Sequence, residues 1–195
     1  MLQRRMGGLI REMGNDSVDA ASRVSEDIQA ETLQYYALYV RSRQERVVEK
    51  RLLGKGYAAF SPTYCSRRNR SDRTVELEMP LFPGYVFCQF DPSFRLPILK
   101  TPGVVTIVGA GNIPQPIDDV EISSIRKITM AGGGLAKPWP FFREGQTVRI
   151  EAGPLCGVEG KLIRVKNRSR LVVSVTLLKR SIAVEIDEES LRPLS

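Results

Sequence analysis

Apolar and polar positions recur with different periods along the chain. Residues 35–40 form an aromatic run that is typical of a β-strand. A helix is predicted to follow, because Val48 and Leu52 fall on one face and glycines come soon afterwards. Residues 57–64 predict a second strand. Tyr85–Phe90 is apolar on both faces, which predicts a central strand.

Two patterns predict helix starts. Ser42 and Glu45 match a capping box, in which the first side chain caps the helix and the second reaches back. Asp118 and Glu121 repeat this pattern ahead of a second helix. Its inward side chains are expected to be Ile122, Ile125 and Ile128. Residues 34–129 therefore predict an α+β domain with helices against a mainly antiparallel sheet.

The rest of the chain differs in composition. Residues 130–140 combine three glycines with two prolines, which predicts a flexible linker. Residues 141–195 contain short stretches of alternating Val and Ile separated by turn residues, which predicts a small all-β barrel. Residues 1–33 are polar and have no sustained apolar period, so we expect a disordered tail.

Composition limits the possible functions. The 195 residues carry a net charge of +7, which suits a polyanionic partner. There is no histidine, and the three cysteines form no C-x-x-C pair, so neither a common general base nor a metal motif is present. We expect no enzymatic activity, no cofactor and no metal. Scattered thiols are typical of a reducing cytoplasm, so we expect a cytoplasmic protein. No apolar stretch is long enough to span a bilayer, so we expect no membrane partner. We also expect a monomer.

Arginines cluster in two places. The segment between two predicted strands contains Arg67, Arg68, Arg70 and Arg73, and the first predicted helix and its entry carry Arg41, Arg43 and Arg51. Charge runs of this kind are usually solvated surface. They can also contact nucleic-acid phosphates, which would give affinity without sequence readout. The sequence leaves both interpretations open.

Three motifs in order resemble the NusG family. YYALY at residues 35–39 is similar to the opening of its N-terminal domain, and PLFPGYVF at 80–87 resembles its most recognisable strand. GQTVRI at 145–150, followed by GPLCGVEG at 153–160, resembles a KOW motif. Residues 101–105 and 180–185 look closest to specialised paralogs such as the RfaH and UpxY-like antiterminators.

The resemblance implies a transcription elongation and antitermination factor that increases processivity. In that family an apolar concavity grips the clamp helices of the largest RNA polymerase subunit. The matching positions are Tyr39, Phe82, Pro83 and Phe87, with Val104 and Ile107 as a rim. Periodicity alone favours an ordinary core role for Phe82 and Phe87.

Other partners follow from the same resemblance. The arginine clusters would approach non-template DNA. A C-terminal loop with Leu178, Lys179 and Arg180 lies where relatives bind either a small-subunit ribosomal protein (NusE) or Rho. An ordinary hairpin turn explains this loop equally well. Leu178 replaces an aromatic residue of housekeeping NusG, which argues against Rho. The alternatives are a housekeeping NusG and a ribosome-associated or RNA-binding KOW protein.

Overall fold

The computed structural model describes residues 33–70, 73–131, 136–141, 145–165, 168–186 and 190–194. The predicted tail lies outside these ranges apart from Leu33. Among the described residues, no helix combines the length and the apolar character that a membrane crossing requires.

The N-terminal part is a mixed α/β unit, which confirms the predicted class. Its central feature is a four-stranded antiparallel sheet with the strand order β2-β5-β1-β6. The hairpins β3–β4 and β7–β8 are paired separately. The elements are β1 Gln34–Val40, α1 Glu45–Leu53, β2 Ala58–Phe60, β3 Thr63–Arg70, β4 Arg73–Pro80, β5 Tyr85–Phe90, a 3-10 turn Pro92–Phe94, α2 Leu96–Leu99, β6 Val104–Ile107, β7 Gly109–Ala110, β8 Ile113–Pro114 and α3 Asp119–Met130.

The C-terminal part is entirely β, again as predicted. One antiparallel sheet holds six strands in the order β14-β10-β11-β12-β13-β9. These strands are β9 Ala136–Trp139, β10 Gln146–Ile150, β11 Glu159–Val165, β12 Arg168–Val175, β13 Arg180–Glu185 and β14 Leu191–Pro193.

Side chains of the central strands separate into two cores, because successive residues of a strand point to opposite faces. On β1, Tyr36 and Leu38 enter one core, and Tyr35 and Ala37 enter the other. The first core is closed by α1 and α2, through Val48, Leu52 and Ile98. The second core is closed by α3 and by side chains of the C-terminal sheet.

The two predicted helix starts have different outcomes. Asp118 caps α3 by accepting hydrogen bonds from the backbone N–H groups of Val120 and Glu121, at 2.8 and 3.4 Å. The expected inward isoleucines of α3 are buried. The capping box of α1 is wrong, because Gln44 occupies the cap position without a side-chain hydrogen bond. Glu45 instead accepts a hydrogen bond from the backbone N–H of Gly84.

Two segments differ from their predicted extents. The strand predicted at residues 57–64 is split, because Pro62, which has no N–H, separates β2 from β3. Within the predicted linker, Ala136–Trp139 forms the edge strand β9 and pairs with β13. Pro138 is compatible with this position, since an edge strand has one side that needs no hydrogen-bond donor.

Candidate functional site

The turn that leads into β5 is tightly constrained. Gly84 has a φ of +85° and lies where an added Cβ would be 3.3 Å from the ring of Tyr39. Its N–H donates to Glu45 Oε1 at 2.8 Å, and its carbonyl accepts from the N–H of Val40 at 2.9 Å. The left-handed conformation and the close ring both favour glycine. The turn therefore holds Phe82 and its neighbours against β1.

Aromatic side chains cluster around this turn. The Phe82 and Phe87 rings meet edge to face with centroids 5.4 Å apart, and Phe87 also packs on Phe60 at 5.2 Å. Tyr39 and Tyr85, paired across β1 and β5, have centroids 5.6 Å apart. Such contacts hold the rings in fixed orientations.

Only part of this aromatic cluster reaches solvent. Tyr39 is 45% exposed and Pro83 is exposed, but Phe82 and Phe87 are buried. Phe82 and Phe87 share a core with Leu155, which belongs to the C-terminal part of the chain. Of the four side chains predicted to form one binding surface, two are therefore covered in this structure.

Val104 and Ile107 do not lie beside Phe82 and Phe87. Both belong to the core under α1 and α2, on the opposite face of the sheet. Ile107 is buried and pairs with Leu38 in the register of β1 and β6. The structure therefore does not join these two residues to the aromatic cluster as a rim.

The predicted C-terminal partner loop faces the N-terminal sheet. Leu178 is buried in the shared core, and the guanidinium of Arg180 lies 5.6 Å from the ring centroid of Tyr85. Lys179 is exposed, with a φ of +49°. Leu178 and Arg180 are thus engaged within the chain.

Polar contacts border this seam between α3 and the C-terminal sheet. Both carboxylate oxygens of Glu121 accept from the backbone N–H of Thr176, at 3.2 and 3.3 Å. The hydroxyl oxygen of Ser124 accepts from the N–H of Glu159 at 3.3 Å. Burial raises the pKa of Glu121, although the hydrogen bonds from Thr176 act in the opposite direction. The seam thus places a carboxylate in a partly desolvated position.

The arginines of α1 and its entry have mixed roles. Arg41 and Arg43 are exposed. Arg51 donates to the carbonyl of Pro102 at 2.6 Å, so it also fixes the loop before β6. Arg46 on α1 pairs with Glu78 and ties this helix to the β3–β4 hairpin.

The β3–β4 hairpin carries the other arginine group. Arg67 pairs with Glu76 across the two strands at 2.8 Å. The predicted side-chain roles of Arg68, Arg70 and Arg73 lie outside what the structure describes. The backbone of the latter two closes the hairpin, because Arg70 and Arg73 are opposite each other in its register.

Sequence reasoning missed Arg126 and the polar side of α3. The Arg126 guanidinium lies 5.7 Å from the centroid of Tyr35 and 5.6 Å from that of Phe60, and it donates to the Tyr35 hydroxyl at 2.8 Å. The sequence signal for α3 was a serine, Ser124, within a stripe of isoleucines. The structure buries this serine with them.

Within the part of the chain that the structure describes, no three acidic or thiol side chains are grouped to hold a metal ion. Cys65 and Cys156 are exposed, whereas Cys88 is buried, which raises its pKa to about 12.

Comparisons with known proteins agree with the sequence motifs. A family model described as "Transcription termination factor nusG" matches residues 33–126. The chain is 34% identical over 123 residues to the transcription termination/antitermination protein NusG of Escherichia coli strain K12, which is 60% of this chain and 67% of that protein. It is 33% identical over 117 residues to the NusG protein of Thermus thermophilus, which is 55% of this chain and 64% of that protein.

These alignments span about two thirds of the length of the two relatives. Among solved structures, one described as "Domain interaction in Thermotoga maritima NusG" superposes with a TM-score of 0.48 and 21% identity. The superposition covers 85% of this chain and 99% of that chain.

Proposed function

This chain belongs to the NusG family, and we propose that it is a non-enzymatic elongation and antitermination factor that binds RNA polymerase. The observation that carries the proposal is the aromatic cluster around the turn before β5. Tyr39 and Pro83 are exposed at its edge, while Phe82 and Phe87 are buried in a core that also contains C-terminal side chains.

The proposed partner is the pair of clamp helices of the largest polymerase subunit. An aromatic surface on a rigid sheet suits the apolar face of such helices, because aromatic anchors bury much area at little entropic cost. By binding the closed clamp more tightly than the open one, the protein would shift the polymerase toward the processive state.

Full use of this surface requires the C-terminal sheet to move away. In the closed arrangement of this chain, in which α3 contacts the C-terminal sheet, Phe82 is 1% exposed and cannot contact another protein. We propose that polymerase competes with the C-terminal part for the aromatic face. The same opening would free Leu178 and Arg180 for a ribosomal protein such as NusE.

Non-template DNA is the proposed partner of the exposed arginines. Arg41 and Arg43 precede α1, and the β3–β4 hairpin is tied to α1 through Arg46 and Glu78. Arginines on one connected surface favour phosphate contacts, which give affinity without a base code.

A narrower proposal concerns the subgroup of the NusG family to which this chain belongs. The segments at 101–105 and 180–185, together with Leu178 in place of an aromatic, favour an operon-specialised paralog over a housekeeping NusG. A genomic neighbourhood of polysaccharide genes would support this proposal. Neighbouring genes for secretion and ribosomal proteins would contradict it.

The test is binding of the full chain to a polymerase clamp-helix fragment. Tyr39→Ala removes an anchor that is exposed and so should not disturb the core. We expect affinity to fall by about tenfold. Phe94→Ala is the matched control, because Phe94 is 72% exposed and lies outside both apolar cores.

Phe82→Ala should weaken binding further in a variant that stays folded. Equal affinities for Tyr39→Ala and Phe94→Ala would discard the aromatic site while keeping the partner. An absence of binding by the wild-type chain and by a variant with a loosened seam, such as Leu178→Ala, would reject the clamp proposal.

A further inference from the structure

A pocket on the C-terminal sheet is lined by none of the residues of the aromatic cluster. It has a volume of about 360 Å³ and is formed where β9, β13 and β12 run side by side. Its principal side chains are Lys137, Trp139, Arg168, Arg170 and Glu185. Three cations therefore surround one carboxylate, which leaves an excess of positive charge.

Trp139 forms the flat wall of this pocket. It is partly exposed and is the only tryptophan of the chain. The guanidinium of Arg170 lies 5.0 Å from its ring centroid, within the range of a cation–π contact. The pair places an aromatic ring and a positive charge side by side in the pocket lining.

Glu185 holds the two arginines in place. Its carboxylate accepts from Arg168 at 2.8 Å and from Arg170 at 3.1 Å. These hydrogen bonds, that of Arg168 first, lower the pKa of Glu185, so the carboxylate is charged at neutral pH. Because one carboxylate serves two arginines, it cannot neutralise both.

Arg170 keeps an unused donor. Its Nε atom is buried and has no hydrogen-bond partner among the described residues. A buried donor without an acceptor destabilises a fold. The contacts that hold this guanidinium are those with Glu185 and with the Trp139 ring.

We propose that this pocket binds an unpaired nucleotide of a single-stranded nucleic acid. The base stacks at Trp139 and Arg170, and the adjoining phosphates contact Arg168 and Lys137. Single-strand binding sites combine these two features, because every base has a face that can stack and every linkage carries a negative charge. An acidic peptide would use the arginines but would leave the tryptophan wall without a role.

The site is independent of the proposed polymerase surface. The pocket is open while α3 contacts the C-terminal sheet, so binding does not require the chain to open. Its failure would leave the clamp proposal intact, and failure of the clamp proposal would leave this site intact.

The sole tryptophan supplies the readout. The full chain is titrated with single-stranded oligouridine and, in a parallel series, oligothymidine of about 12 nucleotides. Saturable quenching of Trp139 fluorescence is expected. A stronger response to oligouridine would assign the site to RNA, and equal responses would assign it to the chemistry that RNA and DNA share.

Two double variants of equal charge separate the pocket from general attraction. Arg168→Gln with Arg170→Gln should weaken binding by at least about tenfold. Arg149→Gln with Arg192→Gln should weaken it no more than about twofold. These control arginines are also paired with glutamates and lie on β10 and β14, toward the opposite edge of the same sheet.

Glu185→Gln is a third variant, which distinguishes a lost binding site from a misfolded protein. It removes only a surface carboxylate and releases both arginines, so affinity should rise by a few-fold. Equal losses in the two double variants, a saturable complex without any change in Trp139 fluorescence, or tighter binding of a polyglutamate peptide would each overturn the proposal.

Discussion

The two faces of the N-terminal sheet are covered in different ways. One face is closed by α1 and α2, which lie close to their strands in sequence, and its core contains only N-terminal residues. The other face is closed by α3 and by the C-terminal sheet, and residues as distant as Tyr35 and Val184 share its core.

The chemistry at the two borders differs as well. Val48 and Leu52 on α1 are fully buried among apolar neighbours. At the α3 seam, Glu121 and Ser124 make hydrogen bonds to backbone groups of the C-terminal sheet. Polar contacts of this kind can be exchanged for water at small net cost, whereas an apolar core cannot. The second face combines an apolar core with these exchangeable polar contacts, and we propose that it is the face that opens.

The largest effect is expected on the face that α1 and α2 cover. Leu52→Ala should lower the free energy of unfolding by about 2–5 kcal/mol, because it leaves a cavity beneath α1. Urea denaturation measures the change. Leu53→Ala is the control, since the adjacent Leu53 is 49% exposed and its truncation should cost less than about 1 kcal/mol. Similar losses in both variants would show that α1 is not a fixed cover.

Leu178 tests the second face with the same kind of truncation. Leu178→Ala should favour the open arrangement by about 1–2 kcal/mol, since it removes apolar contact from the shared core. Relaxation of backbone ¹⁵N nuclei would report two shorter rotational correlation times in place of one. Lys179→Ala, at the exposed neighbouring position, should tumble as the wild type does. If Leu178→Ala tumbled as one body, the seam would be as permanent as the first face.

Arg180 contributes a smaller part of the seam. Arg180→Ala removes a cation that lies 5.6 Å from the Tyr85 ring centroid, and it should shift the equilibrium toward opening by about 0.5–1 kcal/mol. Arg180→Lys retains a cation, so its equilibrium between closed and open forms should lie between those of the wild type and Arg180→Ala. The same relaxation measurement checks both variants. An Arg180→Ala chain that closes more tightly would mean that the cation–π contact does not hold the loop.

The sequence predicts the first face better than the second. The period of Val48 and Leu52 and the aromatic run of β1 depend on near neighbours, and the structure has both the helix face and the strand. The Asp118 cap of α3 was likewise readable, since its acceptor and donors lie within three residues.

The seam between α3 and the C-terminal sheet could not be predicted from the sequence in the same way. Its contacts join residues far apart in sequence, such as Glu121 with Thr176, and no local period encodes them. Periodicity did favour a core role for Phe82 and Phe87, and the buried positions of both agree with it. The family resemblance pointed instead to a surface. Phe82 and Phe87 can be both core residues and part of a binding surface if this core opens.

The smallest effect is a pH dependence of closure. Burial raises the pKa of Glu121 in the closed arrangement, so the closed chain binds this proton more tightly than the open chain does. Closure should therefore be strongest below the usual carboxyl pKa of about 4.3 and should weaken as the pH rises through the raised value.

The Thr176 amide resonance reports this titration directly, because its N–H donates to Glu121. Glu121→Gln should abolish the pH dependence of closure. Glu49→Gln is the matched control, since Glu49 lies on α1 and its pKa is also raised mainly by burial. That variant should alter the pH dependence of unfolding and leave closure unchanged. Closure that strengthened with rising pH would mean that hydrogen bonding from Thr176, rather than desolvation, dominates at Glu121, and the seam would then be held by the charged carboxylate.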